Sequence, residues 1–247
     1  MTSEGEGDDM TITGNDEFRN LLAQVSTASL SSQLIKKGFR TRSISNIAPV
    51  NPATPRLFGP AYTLRYIPMR EDLATPAAMA DQNNPQRRSI EVAPPGSVIV
   101  VDTHGMDLSG TFGDILVARL RVRGVAGVVS DGPMRDVAEL RKMDFPVFAR
   151  GNAAPPSYAS MLAVDAQVPI SCGGVAVFPG DLVVGDADGV VVLPPHIAEA
   201  VVRDALDQDR IEAFLRQRVE AGASIFGTYP PNDETRAAYQ ASLKSRS

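Results

Sequence analysis

Several residue types that carry chemistry are scarce in this 247-residue chain. Its one cysteine, Cys172, rules out an internal disulfide and reads as a small core residue. The two histidines, His104 and His196, stand far apart, which disfavours zinc, an ion that prefers nitrogen and sulfur ligands. Only Lys36, Lys37, Lys142 and Lys244 could form an imine, and none lies in an apolar strand that would depress its pKa. Neither G-x-G-x-x-G nor a phosphate-binding P-loop occurs, which argues against nucleotide cofactors and ATP. The 24 basic residues are scattered among 29 acids, for a net charge of −5, so no basic stripe is available for nucleic acid. No run of eighteen apolar residues is present, and the acidic, Gly/Ser-rich N-terminus lacks a charged-then-apolar pattern. A cytoplasmic protein without a membrane partner is expected.

What is present suffices for a sizeable core, since 43% of residues are hydrophobic. One principal domain over 14–222 is expected, preceded by a flexible tail at 1–13 and followed by a C-terminal arm at 223–247. A helix is expected from Asp16 to about Gln24. A second follows, with Ser26 or Thr27 as its cap and Gly38 as its stop signal. Pro60 to Pro68 alternates like a strand, and Arg70 to Arg88 reads as a polar loop with one helical turn, a candidate lid or specificity loop. Val175–Phe178, Leu182–Val184 and Val190–Leu193 read as a compact antiparallel meander. A long helix then runs from Pro194-Pro195 to about Ala221, and a short charged one from Asn232 to about Lys244.

Between these regions lies a βαβα stretch. Ser97 to Asp102 reads as a buried strand, Gly113 to Arg123 as a helix and Val125 to Ser130 as the next strand. A turn, Asp131-Gly132-Pro133-Met134, leads to a further helix. Such strand-to-helix junctions face the same way in an open α/β sheet and form the usual ligand crevice. Asp114 falls at the first junction; Arg135, Asp136 and Glu139 fall at the second. The unpaired amides of Gly113, Asp114, Ile115 and Leu116 can cradle a carboxylate, and Arg135 can add two parallel hydrogen bonds. Asp136 and Glu139, three residues apart, would share a helix face, and oxygen-only ligands suit Mg²⁺ or Mn²⁺. Each feature alone has a plainer explanation: a cap for Asp114, a surface ion pair for Arg135, dipole complementation for the two acids. It is their conjunction that points to a metal-assisted site for a small acid. His104 is a weaker candidate acid or base, and turn formation accounts for Asp186 and Asp188.

Gly113-Asp114, Arg135-Asp136 and Glu139, together with the run Gly173 to Pro194 (GGVAVFPGDLVVGDADGVVVLP), resemble the RraA-like family over residues 26 to 205. That family includes the 4-hydroxy-4-methyl-2-oxoglutarate aldolases, and its members often carry ribonuclease-regulator or dimethylmenaquinone-methyltransferase labels. The resemblance implies an α/β fold, a swivelling β/β/α-type single domain with flanking helical arms, assembled as a homotrimer or hexamer with sites between subunits. It implies that Asp136 holds the metal directly, with Asp114 and Glu139 acting through metal-bound waters. Arg135 and the amides of Gly113 to Leu116 would bind pyruvate or the pyruvyl part of a 2-oxo acid substrate. The expected activity is a class II, divalent-metal-dependent aldolase cleaving a 4-hydroxy-2-oxo acid, with oxaloacetate decarboxylation as a side reaction and Asp114, Arg135 and Asp136 as catalytic residues. The family's ribonuclease regulators lack the full set of acids, which this chain keeps. The alternatives are a non-catalytic regulator of a ribonuclease or other protein, and a sugar-acid lyase or dehydratase using the same metal site. The chain departs from many relatives at Thr27 to Ser32, where they carry an aspartate, and in its longer 70–88 segment.

Overall fold

The computed structural model describes residues 16–73 and 75–244, so the expected 1–13 tail lies outside the described residues. In chain order the helices are α1 (Asp16–Leu22), α2 (Thr27–Lys36), α3 (Pro76–Ala80), α4 (Pro85–Val92), α5 (Asp114–Val122), α6 (Val137–Leu140), α7 (Pro195–Glu220) and α8 (Asp233–Lys244). The strands are β1 (Ser43–Ile44), β2 (Ala48–Pro49), β3 (Leu57–Pro68), β4 (Val98–Asp102), β5 (Gly127–Met134), β6 (Val147–Asn152), β7 (Met161–Ala166), β8 (Ile170–Cys172), β9 (Val175–Val177), β10 (Leu182–Asp186) and β11 (Gly189–Leu193). They form a mixed α/β domain, as expected.

Strands β3, β4, β5 and β6 lie side by side in parallel, and α4, α5 and α6 fill the successive connections between them. The sheet extends antiparallel on one side through β10, β11 and β1, and on the other through β2; β7 also pairs with β3. Every residue of β4 is buried, because both faces of the sheet are covered. Ile99 and Val101 join a core with Ile90, Val117 and Leu120 from α4 and α5. Val98 and Val100 point to the opposite core with Ile170, Cys172, Val175 and Val177. A third core packs α1, α2 and α7 on the β10–β11 hairpin through Leu22, Leu30, Leu34, Val184, Val201 and Val202.

Local signals explain α2: the Ser26 side chain accepts from the Ser29 amide at 3.1 Å, and Gly38 follows at positive φ. Three expectations are corrected. The 70–88 segment holds α3 and the start of α4 rather than a single helical turn, because Thr75 and Asn84 cap these helices, each with proline at its start. Asp131 to Met134 is no turn but the end of β5, where the register with β6 shifts between Ser130 and Pro133. The meander reduces to the β10–β11 hairpin, since β9 pairs with β8 in a separate two-stranded sheet. Cys172 is fully buried, and that burial, reinforced by Asp131 and Asp102, pushes its thiol well above the ordinary range.

Candidate functional site

The site is assembled at the carboxyl ends of β4 and β5, which are adjacent and parallel. A loop carries the chain from β4 to α5, and its last residues zip onto the end of β5. Thr111 donates its amide to the Pro133 carbonyl at 2.8 Å, and the Arg135 amide donates to the Phe112 carbonyl at 3.0 Å. The Gly110 amide donates to the Pro155 carbonyl at 2.9 Å, and the buried Phe112 ring anchors the strip in the core. This ladder sets the start of α5 beside Arg135 and Asp136. Two glycines make the approach possible: a Cβ on Gly110 would lie 2.9 Å from Arg135 Cβ, and one on Gly113 would collide with the Asp136 carboxylate.

The result is an open cleft of about 310 Å³ whose walls include Gly113, Asp114, Ile115, Leu116, Arg135 and Asp136. Arg135 Nε stands 3.5 Å from Asp136 Oδ2 and is buried without a hydrogen bond. Gly113 supplies no capping side chain to α5, and the Ile115 amide donates to the neighbouring Asp114 Oδ1 at 2.8 Å. The remaining first-turn amides, of Asp114 and Leu116, have no intrahelical acceptor.

Glu139 is the sequence-derived candidate that the structure does not bring in. Its carboxylate pairs with Lys142 Nζ at 2.7 Å, and it is not among the residues that line the cleft. The reason is conformational: Asp136 has φ +56°, left-handed and outside α6, so helical i,i+3 spacing does not align it with Glu139. No three histidine, cysteine, aspartate or glutamate side chains gather into a metal-binding group among the described residues. His104 also stays away from the cleft, with its amide donating to Asp102 Oδ1 at 2.9 Å.

Other cleft residues were not singled out from the sequence: Gln86 and Arg87 from α4, Met79 from α3, and Ser157 and Tyr158 from the turn after Pro155-Pro156. The Asn84-Pro85 cap signature was the available signal for the first two. Gln86 is buried, and its Nε2 donates to the Thr111 carbonyl at 2.6 Å, fastening α4 to the loop that carries Gly113. Behind it, burial raises the pKa of the Tyr66 hydroxyl, with Arg87 and Gln86 opposing the shift. Asp186 has a structural task larger than its turn: it accepts the Thr27 amide at 2.8 Å and the Thr27 hydroxyl at 2.5 Å, tying α2 to the β10–β11 hairpin.

Fold and cleft together define an α/β protein with an open pocket, lined by two guanidinium groups, carboxylates and a helix start, at the carboxyl edge of its parallel strands. The chain belongs to the RraA-like family, described as Aldolase/RraA, whose model matches residues 24–192. A Halalkalibacterium halodurans protein named "Putative 4-hydroxy-4-methyl-2-oxoglutarate aldolase" is 37% identical over 165 residues, covering 67% of this chain and 72% of that protein. The structure of Streptomyces coelicolor RraAS2, described as an unusual member of the RNase ES inhibitor RraA protein family, superposes with a TM-score of 0.71 at 33% identity, covering 82% of this chain and 96% of that one. An uncharacterized protein from Pseudomonas syringae pv. tomato superposes at 0.76 with 28% identity, over 86% and 92% of the two chains. Among the described residues, no helix is long and apolar enough to cross a membrane.

Proposed function

We propose that the chain is a divalent-cation-dependent lyase that cleaves a 4-hydroxy-2-oxo acid to pyruvate, with oxaloacetate decarboxylation as a companion activity. One observation carries this reading: Arg135, the Asp136 carboxylate and the amino end of α5 open into the same cleft. The family and the name of the H. halodurans relative support it.

A hard cation fits what is there. The Asp136 carboxylate is 40% exposed, and Arg135 Nε at 3.5 Å is its ion-pair partner. The anionic groups of the cleft are the carboxylates of Asp114 and Asp136, and such oxygen ligands suit Mg²⁺ or Mn²⁺, which accept one or two carboxylates and keep water elsewhere. Asp136 would hold the ion, which when bound supplies electrostatic stabilisation to negative charge on the substrate's keto oxygen.

The protein's own groups do the rest. Arg135 offers a fork of donors to the carboxylate of the 2-oxo acid, and the Asp114 and Leu116 amides add backbone donors on the helix side. With Asp136 engaged, Asp114 is the cleft carboxylate left to take the C4 hydroxyl proton. As that proton leaves, the C4 carbonyl forms, the C3–C4 bond breaks and its electron pair passes to C3 as the pyruvate enolate. Protonation at C3 then gives pyruvate. Glu139, turned to Lys142 in this conformation, would take part only by leaving that pair.

The test is pyruvate formation, coupled to lactate dehydrogenase, over a panel of 4-hydroxy-2-oxo acids and oxaloacetate. Asp136→Ala and chelation by EDTA should each abolish turnover. Undiminished rates without divalent cation, or no pyruvate from any substrate, would refute the mechanism. A second reading, a non-catalytic regulator, is favoured by the likeness to RraAS2 and predicts ribonuclease inhibition in the absence of pyruvate formation. A homotrimer or hexamer is part of the proposal and is measured by light scattering.

A further inference from the structure

Glutamine in the first turn of a surface helix ordinarily points to water, yet Gln86 in α4 is buried, and its Nε2 donates to the Thr111 carbonyl at 2.6 Å. Thr111 is buried as well, so loss of that donor would strand its carbonyl where water does not reach. We propose that Gln86 is a positioning residue: by holding the Thr111 carbonyl it fixes the start of α5, and with it Asp114, against Arg135 and Asp136. This rests on the lyase reading, in which Asp114 takes the proton while Asp136 holds the cation.

The Thr111 carbonyl and the Phe112 amide belong to one planar peptide unit, so a bond to that oxygen sets the plane from which the chain continues into α5. The β5 side of the same strip is held by other bonds. The Thr111 amide and hydroxyl donate to the Pro133 carbonyl at 2.8 and 3.0 Å, and the Phe112 carbonyl accepts the Arg135 amide at 3.0 Å. Gln86 holds it from the side of α4, and is itself anchored, since its amide donates to Asn84 Oδ1 at 3.0 Å and Ile90 of the same helix packs in the core. Little slack remains at the site, where a Cβ on Gly113 would collide with the Asp136 carboxylate and lie 3.4 Å from Arg135 Cγ. A shift of the strip by about 1 Å would change the spacing between proton acceptor and cation ligand, a displacement worth about 100-fold in rate. Arg135 and Asp136 follow β5, which keeps its partners β4 and β6. Binding of the cation and of the substrate carboxylate should therefore suffer less than proton transfer.

Three variants test this. Gln86→Met fills the same space without a donor, and Gln86→Asn keeps the amide one methylene short and carries the test if the first does not fold. Ser89→Ala, the control, removes a hydroxyl that donates to the Pro85 carbonyl within α4 and leaves the Thr111 bond in place. In the coupled pyruvate assay at saturating Mg²⁺, Gln86→Met should lower kcat by about 10- to 100-fold, with KM and apparent Mg²⁺ affinity within a few-fold of the wild type. Gln86→Asn should fall between, and Ser89→Ala should keep the wild-type kcat. A second arm, hydrogen exchange, needs no turnover: Gln86→Met should speed exchange over residues 110–117 by about 10-fold and leave β4 and α7 unchanged. Wild-type kcat in a folded Gln86 variant, or an equal loss in Ser89→Ala, overturns the assignment, as does exchange that quickens uniformly or not at all. Should the wild type itself form no pyruvate, the lyase reading falls, and exchange over 110–117 alone decides whether Gln86 holds the start of α5.

Discussion

Replacing Gly113 by alanine should separate the site's chemistry from the stability of the fold. Gly113 caps α5 with φ −109° and ψ −179°, an extended conformation that alanine adopts without strain. The added methyl group meets the Asp136 carboxylate well inside van der Waals contact and Arg135 Cγ at 3.4 Å. The carboxylate is the mobile end of a half-exposed side chain, so it can give way by roughly 1 Å to reach ordinary contact at little energetic cost. Exchanging glycine for alanine at a cap costs about 0.5–1 kcal/mol, which lowers Tm by roughly 1–4 °C in a protein of this size. Displacing a reacting or cation-holding group by about 1 Å, in contrast, is worth about 100-fold in rate. Gly113→Ala should therefore melt within a few degrees of the wild type and lose about two orders of magnitude in kcat/KM in the coupled pyruvate assay. Its apparent affinity for Mg²⁺, read by titration, should fall in parallel. Wild-type turnover in a variant that folds normally would show that the close approach of Gly113 and Asp136 has no part in catalysis.

Other outcomes follow from the same geometry. Arg135→Lys keeps the charge but not the fork, and should raise KM for 2-oxo acids about 10- to 100-fold with Tm nearly unchanged, as steady-state kinetics and thermal melts will show. Asp186→Ala strands the Thr27 amide and hydroxyl, and should destabilise the protein by about 2–3 kcal/mol in urea denaturation while leaving the cleft intact. Burial raises the pKa of Asp181, against the Phe178 amide, Arg42 and His196. The folded state thus holds that proton more tightly than the unfolded chain, and the ionised carboxylate weakens the fold at neutral pH. Asp181→Asn should therefore stabilise at pH 7, and the gain should shrink as pH falls through the raised pKa and vanish below the ordinary carboxylate range. Melts across pH 3.5 to 7 that show a constant or growing gain on acidification would refute the assignment.

Much of the architecture was legible where local chemistry decides structure. Ser26 and Gly38 bracket α2, the unbroken apolar run Val98 to Val101 marks a strand buried on both faces, and proline opens α7. Misreadings arose where distant partners overrode local preference. Asp131-Gly132-Pro133 has turn composition, but Thr111 and Phe112 from the preceding loop run along it and keep it extended as the end of β5. Val175 to Val177 has the composition of a sheet strand, but its hydrogen bonds go to Ile170–Cys172, a pairing that β-propensity cannot foresee. The polar 70–88 segment looked like loop because its helices are short and held by caps at Thr75 and Asn84 rather than by a long apolar stripe.

The sequence by itself determined the chemical inventory and its grouping: an oxygen-only set of charged donors, one guanidinium beside them, and two strand-to-helix junctions where both would fall. That much follows from composition and hydrophobic period, which depend on near neighbours along the chain. Only the tertiary structure decided membership. The hydrogen-bonded strip from Gly110 to Phe112 and the absent Cβ of Gly113 set Asp136 against the start of α5. Asp136 stands outside α6 in a left-handed conformation while Glu139 pairs with Lys142, and the caps of α3 and α4 delivered Met79, Gln86 and Arg87 to the opening. These outcomes depend on backbone dihedrals and on contacts between segments tens of residues apart, and spacing along a chain does not encode them.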